Sequence, residues 1–178
     1  MATPRPLPLD PIEEAHRQWI AHGWEEVADG MATVTSLVRA QQIVMARVDE
    51  ALRPTGLTFS RYELLMLLGF SKTGALPMTM ASARLQVHPT SVTNTVDRLE
   101  AAELVKRVPH PSDRRATLIE ITDAGRELVA RATAELNARV FARPGLPPAR
   151  LELLLQLLSE FRRGAGDFDT GDTPTRWS

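Results

Sequence analysis

The feature that most restricts this chain is a change of period near residue 104. "HPTSVTNTVDRLEAAEL" (88–104) sets Val92, Val96 and Leu99 three to four residues apart, the spacing of one helical face. "LVKRV" (104–108) and "TLIEI" (117–121) then alternate as strands do, joined by the turn-rich "PHPSDRRA". Upstream, "SRYELLMLLGFS" (60–71) reads as a compact helix with Ser60 and Glu63 as a capping box. "KTGALP" (72–77) reads as a turn, and "TMASARLQV" (79–87) as a short helix capped by Thr79. Pro89 suits the first position of the next helix. Helix, short helix, tight turn, helix and two-stranded hairpin is the order of a winged helix-turn-helix, with the hairpin as the wing.

Helices flank this unit on both sides. "PIEEAHRQWIAHGW" (11–24) is a short helical segment opened by Pro11. Val27, Met31, Val34, Val38, Met45, Val48 and Leu52 follow a 3–4 spacing, broken only at Gln41, and predict one long amphipathic helix ended by "RPTGLT". Thr122 caps a further helix over "DAGRELVARATAELNARVFA", and "ARLELLLQLLSEFRR" (149–163) forms the last. Its leucines cover more than one face, which predicts burial against a partner. The fold class is mainly α with a small β-hairpin wing. The expected divisions are an N-terminal extension (1–24), a long dimerisation helix (25–53), a winged helix-turn-helix (57–122), C-terminal dimerisation helices (123–163) and a disordered tail (164–178).

Composition removes several chemistries. There is no cysteine, hence no disulfide, thiolate ligand or thiol-based redox signal. His16, His22, His88 and His110 show no metal-ligand spacing, so no metal is expected. Glycine-rich phosphate loops and nucleophile elbows are missing from the sequence, so neither a cofactor nor a catalytic residue is expected, and the chain does not read as an enzyme. The start lacks an apolar signal segment and no run is long enough to span a bilayer, so the expected location is the cytoplasm, with no membrane partner. Net charge is −1, so any affinity for nucleic acid rests on local charge.

That local charge lies in residues 84–115. Arg84, Arg98, Lys106, Arg107, Arg114 and Arg115 face four acids, Asp97, Glu100, Glu103 and Asp113, leaving the segment at +2. Opposite the apolar face of the helix from Pro89 stand Thr90, Ser91, Asn94, Asp97 and Arg98, with Thr93 at the flank. Short hydroxyls, an amide and an arginine there suit contacts to base edges and phosphates in a major groove. The same residues also cap and solvate ordinary helix starts, so the placement of arginines at a hairpin tip is what favours DNA.

"RLQVHPTSVTNTVDRLEAAELVKRVPHPSDRRATLIEITDAGREL" (84–128) resembles the MarR family of bacterial transcription regulators. The likeness rests on "TSVTNTVDRLE", on Asp113-x-Arg115 and on "LIEITDAGREL", and extends over most of 25–163. It implies that Arg115 enters a minor groove, that Asp113 holds it by an ion pair, and that Arg114 meets phosphate. It also implies a symmetric homodimer, built from the N- and C-terminal helices, on a pseudo-palindromic operator in double-stranded DNA. A small aromatic or anionic effector is implied in a crevice between the dimerisation and DNA-binding parts. Trp19, Trp24, Met31, Arg39, Met45, Phe59, Tyr62 and Met66 are the candidates to line it, although for most of the Met and aromatic residues ordinary core is the better reading. The segment with Trp19 is similar to an extra helix of urate-type members. Repression relieved by the effector is the leading expectation, and a winged-helix architectural or protein-interaction module without effector is the alternative. The chain departs from the family pattern at Glu103, where glycine is usual because a left-handed turn follows the helix.

Overall fold

The computed structural model describes residues 7–113 and 116–169. Helix α1 (Pro11–Ala21) starts where Asp10 accepts a hydrogen bond from the Ile12 amide at 2.9 Å. It folds back on α2 (Glu25–Leu52), a helix of 28 residues and about 42 Å. A 3₁₀ turn (Arg53–Thr55) closed by the left-handed Gly56 leads to α3 (Phe59–Phe70). Strand β1 (Ala75–Pro77), α4 (Met78–Leu85) and α5 (Pro89–Ala101) follow, then β2 (Val105–Pro109) and β3 (Thr117–Ile121). Helix α6 (Asp123–Leu136) continues into a π-helical turn (Asn137–Phe141), and α7 (Pro148–Gly164) closes the chain. The result is mainly helical with a small antiparallel sheet.

The sheet has three strands, in the order β1-β3-β2, where the sequence predicts two. The segment 72–77 is only half a turn. Gly74, at φ 73°, makes the bend, and Ala75 to Pro77 then pair with β3, Leu76 opposite Ile119. A lone hairpin would leave the second edge of β3 without partners, and three residues are too few to show a strand period. Both helix caps expected upstream also shift. Thr58, not Ser60, caps α3 by accepting from the Arg61 amide, which releases Glu63 from any capping role. Helix α4 starts directly from the strand at Pro77, with no capping side chain, so Thr79 lies inside it.

Leu64, Leu65 and Leu68 of α3 form the centre of the core, with Val92, Val96 and Leu99 of α5, Ile119 of β3, and Ala132 and Leu136 of α6. The C-terminal end of α2 joins them through Val48, Ala51 and Leu52. Met45 packs against them, whereas Val27, Val34 and Val38 of the same stripe are exposed, as are Ile43 and Val44 beside it. Two junctions set the wing. Glu103 adopts φ 56°, the left-handed turn expected there, and its carbonyl accepts from the Thr122 hydroxyl at 2.9 Å. Beside it, a Cβ on Gly125 would lie 2.2 Å from the Leu104 carbonyl oxygen, so only glycine allows α6 to start this close to the strand. Thr122 caps α6 as predicted, accepting from the Gly125 amide at 3.0 Å.

Of the tail expected to be loose from 164, residues 170–178 lie outside the described residues, and the part before them keeps contacts as far as Phe168. The Asp167 carbonyl accepts from the Gln86 side-chain amide at 2.5 Å, and Arg162 stacks over Phe168.

Candidate nucleic-acid interface

Helix α5 presents two unlike faces. Val92, Val96 and Leu99 are buried, while Thr90, Ser91, Thr93, Asn94 and Arg98 are exposed on the other side. Pro89 occupies the first turn, and His88 caps it: its Nδ1 accepts from the Thr90 amide at 3.3 Å. The Thr93 hydroxyl donates to the Pro89 carbonyl at 3.1 Å, which leaves its methyl and oxygen lone pair outward. Ser91, Asn94 and Arg98 make no side-chain hydrogen bond among the described residues, so their polar groups face solvent. Arg84, on α4, is likewise exposed.

Not all of the local positive charge is available. Arg107, on β2, reaches back across α5 and grips both of its acids, Asp97 at 2.5 Å and Glu100, which also accepts from the Arg107 backbone amide at 3.0 Å. The hydrogen bond to Asp97, helped by the one to Glu100, pushes the guanidinium pKa further up despite its partial burial. Lys106 pairs with Glu120 on the neighbouring strand at 2.9 Å. Counting Lys106 and Arg107 with the DNA-facing charge therefore overstated it. Their role is internal: Arg107 ties β2 to α5 and neutralises the carboxylates of Asp97 and Glu100, and Lys106 neutralises Glu120. Asp97 and Glu100, three apart on one helix, followed by an arginine on the next strand, were the sequence signal for this clamp.

The wing turn is tightly organised up to its tip. His110 Nδ1 accepts from the backbone amides of Ser112 (3.3 Å) and Asp113 (3.2 Å), and the Asp113 carbonyl accepts from Ala116 at 3.1 Å. Arg114 and Arg115 lie outside the described residues.

The residues expected to form one ligand crevice separate into three places. Phe59, Tyr62 and Met66 line an open cavity of about 490 Å³ between α3 and α6, together with Phe70, Thr133 and Asn137. Trp19 and Trp24 instead pack edge to face at the α1–α2 corner, with ring centroids 5.4 Å apart. Arg39 lies midway along α2, donating to Gln42 at 3.2 Å, and neither it nor the tryptophans reach the cavity. Seven of the ten lining residues lie outside the set predicted from sequence, Glu63 and Phe141 among them. Glu63 was assigned to a cap, and Phe141 was placed on an ordinary helix. The π-helical turn, a device often found at functional sites, is what carries Asn137 and Phe141 to the cavity wall. Among the described residues no cluster of three or more His, Asp or Glu forms a metal site, and no helix is long and apolar enough to cross a membrane.

Known proteins share this arrangement. Residues 55–116 match the family model described as "MarR family". Sco5413, a MarR family transcriptional regulator from Streptomyces coelicolor, is 49% identical, with a TM-score of 0.71 over 79% of this chain and 98% of that one. Sco3205 from the same organism, solved in complex with DNA, is 26% identical over 80% of this chain and 93% of its own, at a TM-score of 0.67. CouR from Rhodococcus jostii RHA1, bound to p-coumaroyl-CoA, is 29% identical over 76% of this chain and 92% of its own, at a TM-score of 0.63. CouR, described there as a transcriptional repressor, is also solved on a 23-mer DNA duplex. With a regulator of almost half its residues in common along nearly that protein's whole length, and with helices α3 to α5 and strand β2 inside the segment that the family model matches, this chain belongs to the MarR family of transcriptional regulators.

Proposed function

We propose that the protein is a homodimeric repressor that reads a pseudo-palindromic operator and releases it when a small molecule occupies the α3–α6 cavity. The observation that carries the DNA part is the exposed polar face of α5, held against a wing whose neighbouring acids are already neutralised by Arg107 and Lys106. Thr90, Ser91, Thr93, Asn94 and Arg98 are assigned to the major groove. Arg115 is assigned to the minor groove, where a narrow channel concentrates negative potential, with Asp113 as its holder and Arg114 on phosphate. DNA complexes of Sco3205 and CouR support this placement.

The dimer follows from surface left uncovered. Val34, Val38, Leu153, Leu157 and Phe161 are exposed on α2 and α7, an apolar display that a monomer has no use for. Pairing those helices sets two α5 helices on successive major grooves, about 34–36 Å apart. The effector part rests on the cavity itself and on CouR, which is solved with p-coumaroyl-CoA bound. A ligand acts here by preferring a dimer whose half-site spacing does not fit DNA.

The test is a titration of the protein against labelled duplex from upstream of its own gene, beside a scrambled duplex, at two salt concentrations. Nanomolar binding confined to the native duplex is expected. Equal binding to both, collapsing with salt, would mean that only the phosphate backbone is read, and would move the architectural role ahead.

A further inference from the structure

The α3–α6 cavity carries a charge pattern that its position alone does not require. Along one face of α3, Phe59, Tyr62, Glu63, Met66 and Phe70 follow the 3–4 spacing that brings side chains together. Phe59 and Tyr62 stand nearly parallel, with centroids 6.0 Å apart. Phe70 is 79% exposed and Phe141 50%, so two further aromatic rings stand open at the mouth. The Tyr62 hydroxyl lies 3.3 Å from the Thr133 hydroxyl oxygen, and its ring is buried beneath Phe59 as part of the cavity floor. Among the residues lining this space, Glu63 is the one that carries a charge.

Glu63 has no hydrogen bond or ion pair among the described residues. Burial pushes its carboxyl pKa up, with no neighbouring cation or donor to offset that cost. Aromatic faces attract cations through their quadrupole, and a carboxylate exposed at the rim of the cavity attracts them directly. An anion meets the opposite field on both counts. We propose that the effector cavity selects an organic cation with an apolar or aromatic body, held by Glu63 and the rings of Phe59, Phe70 and Phe141. The proposal rests on the effector reading above and chooses, within the aromatic class expected there, the compounds that carry positive charge.

The same residue offers a route from ligand to DNA. Glu63 also borders a small cleft against α5, shared with Ser91 and Thr95. A cation that draws the carboxylate into the cavity changes what stands behind the N-terminal turn of the recognition helix.

The probes are tetraphenylphosphonium and tetraphenylborate, near-identical in shape and opposite in charge. Their binding to the full chain is followed by calorimetry, and release of labelled operator is followed in parallel. Tetraphenylphosphonium is expected to lose about tenfold in affinity in Glu63→Gln, and more in Glu63→Lys, while tetraphenylborate is unaffected or gains. Cation affinity unchanged by Glu63→Gln overturns the proposal. So does an equal loss for both ions, which would mean that the substitution deforms the cavity. Failure of both ions to bind removes the cavity as a ligand site and takes the proposal with it. Glu63-dependent cation binding that leaves operator bound keeps the charge selection and rejects the effector reading alone.

Discussion

Arg114 and Arg115 are adjacent, yet the two assigned roles respond differently to loss. An arginine on phosphate weakens binding to every sequence, so Arg114→Ala is expected to lower the salt slope of binding by about 1 and to leave specificity intact. Arg115→Ala is expected to cost more on the specific operator than on scrambled DNA, with the dimer unchanged. Equal losses in a titration of both variants would remove the special role of Arg115. Glu103 is the opposite case, a residue under strain with no described side-chain contact that needs it. Its φ of 56° costs a non-glycine residue about 1 kcal/mol. Glu103→Gly is therefore expected to stabilise the protein and to raise Tm by about 2–4 °C in a thermal melt.

Between elements, the Arg107 clamp adds a charged tie between β2 and α5 to the frame already made by the sheet and by the Glu103–Thr122 and Leu104–Gly125 junctions. All three charged groups are partly exposed, so the clamp contributes only about 1 kcal/mol or less to stability. Its expected effect on DNA is larger, because removing Arg107 uncovers Asp97 and Glu100 beside the proposed phosphate contacts. Arg107→Ala is expected to leave Tm nearly unchanged and to weaken operator binding by roughly tenfold, as like charges near an interface are costly. Arg107→Lys is expected to recover little of this, since one ammonium cannot fork between two carboxylates. A parallel melt and DNA titration of both variants checks the separation.

At the scale of the whole molecule, the proposed dimer makes affinity depend on two α5 helices acting together. Leu157 and Phe161 are 55% and 62% exposed on α7, and the double change Leu157→Glu with Phe161→Glu places charge where a partner must pack. The variant is expected to keep its helical circular dichroism, to sediment as a monomer, and to lose operator affinity by at least about a hundredfold, the avidity that a second linked site supplies. A monomeric variant that still bound the operator at full strength would separate DNA recognition from dimerisation.

The winged helix-turn-helix was legible in the residues because its elements are local. Val92, Val96 and Leu99 share a helical face whatever surrounds them, Pro89 and Thr122 mark helix starts by their own chemistry, and a left-handed turn at Glu103 follows from where the helix must stop. What the residues did not disclose depended on distant partners. Ala75 to Pro77 became a strand because β3 had a free edge to satisfy, and three residues carry no period of their own. Glu63 left the capping box because Thr58 reached the helix start first, and only the approach of α6 turned that carboxylate into the charged wall of a cavity. Arg107 looked like one more cation for DNA until the fold set Asp97 and Glu100 beside it. Residue types dictate periods, caps and turns over a few residues; which charges remain free is decided by what tertiary packing brings within hydrogen-bond reach.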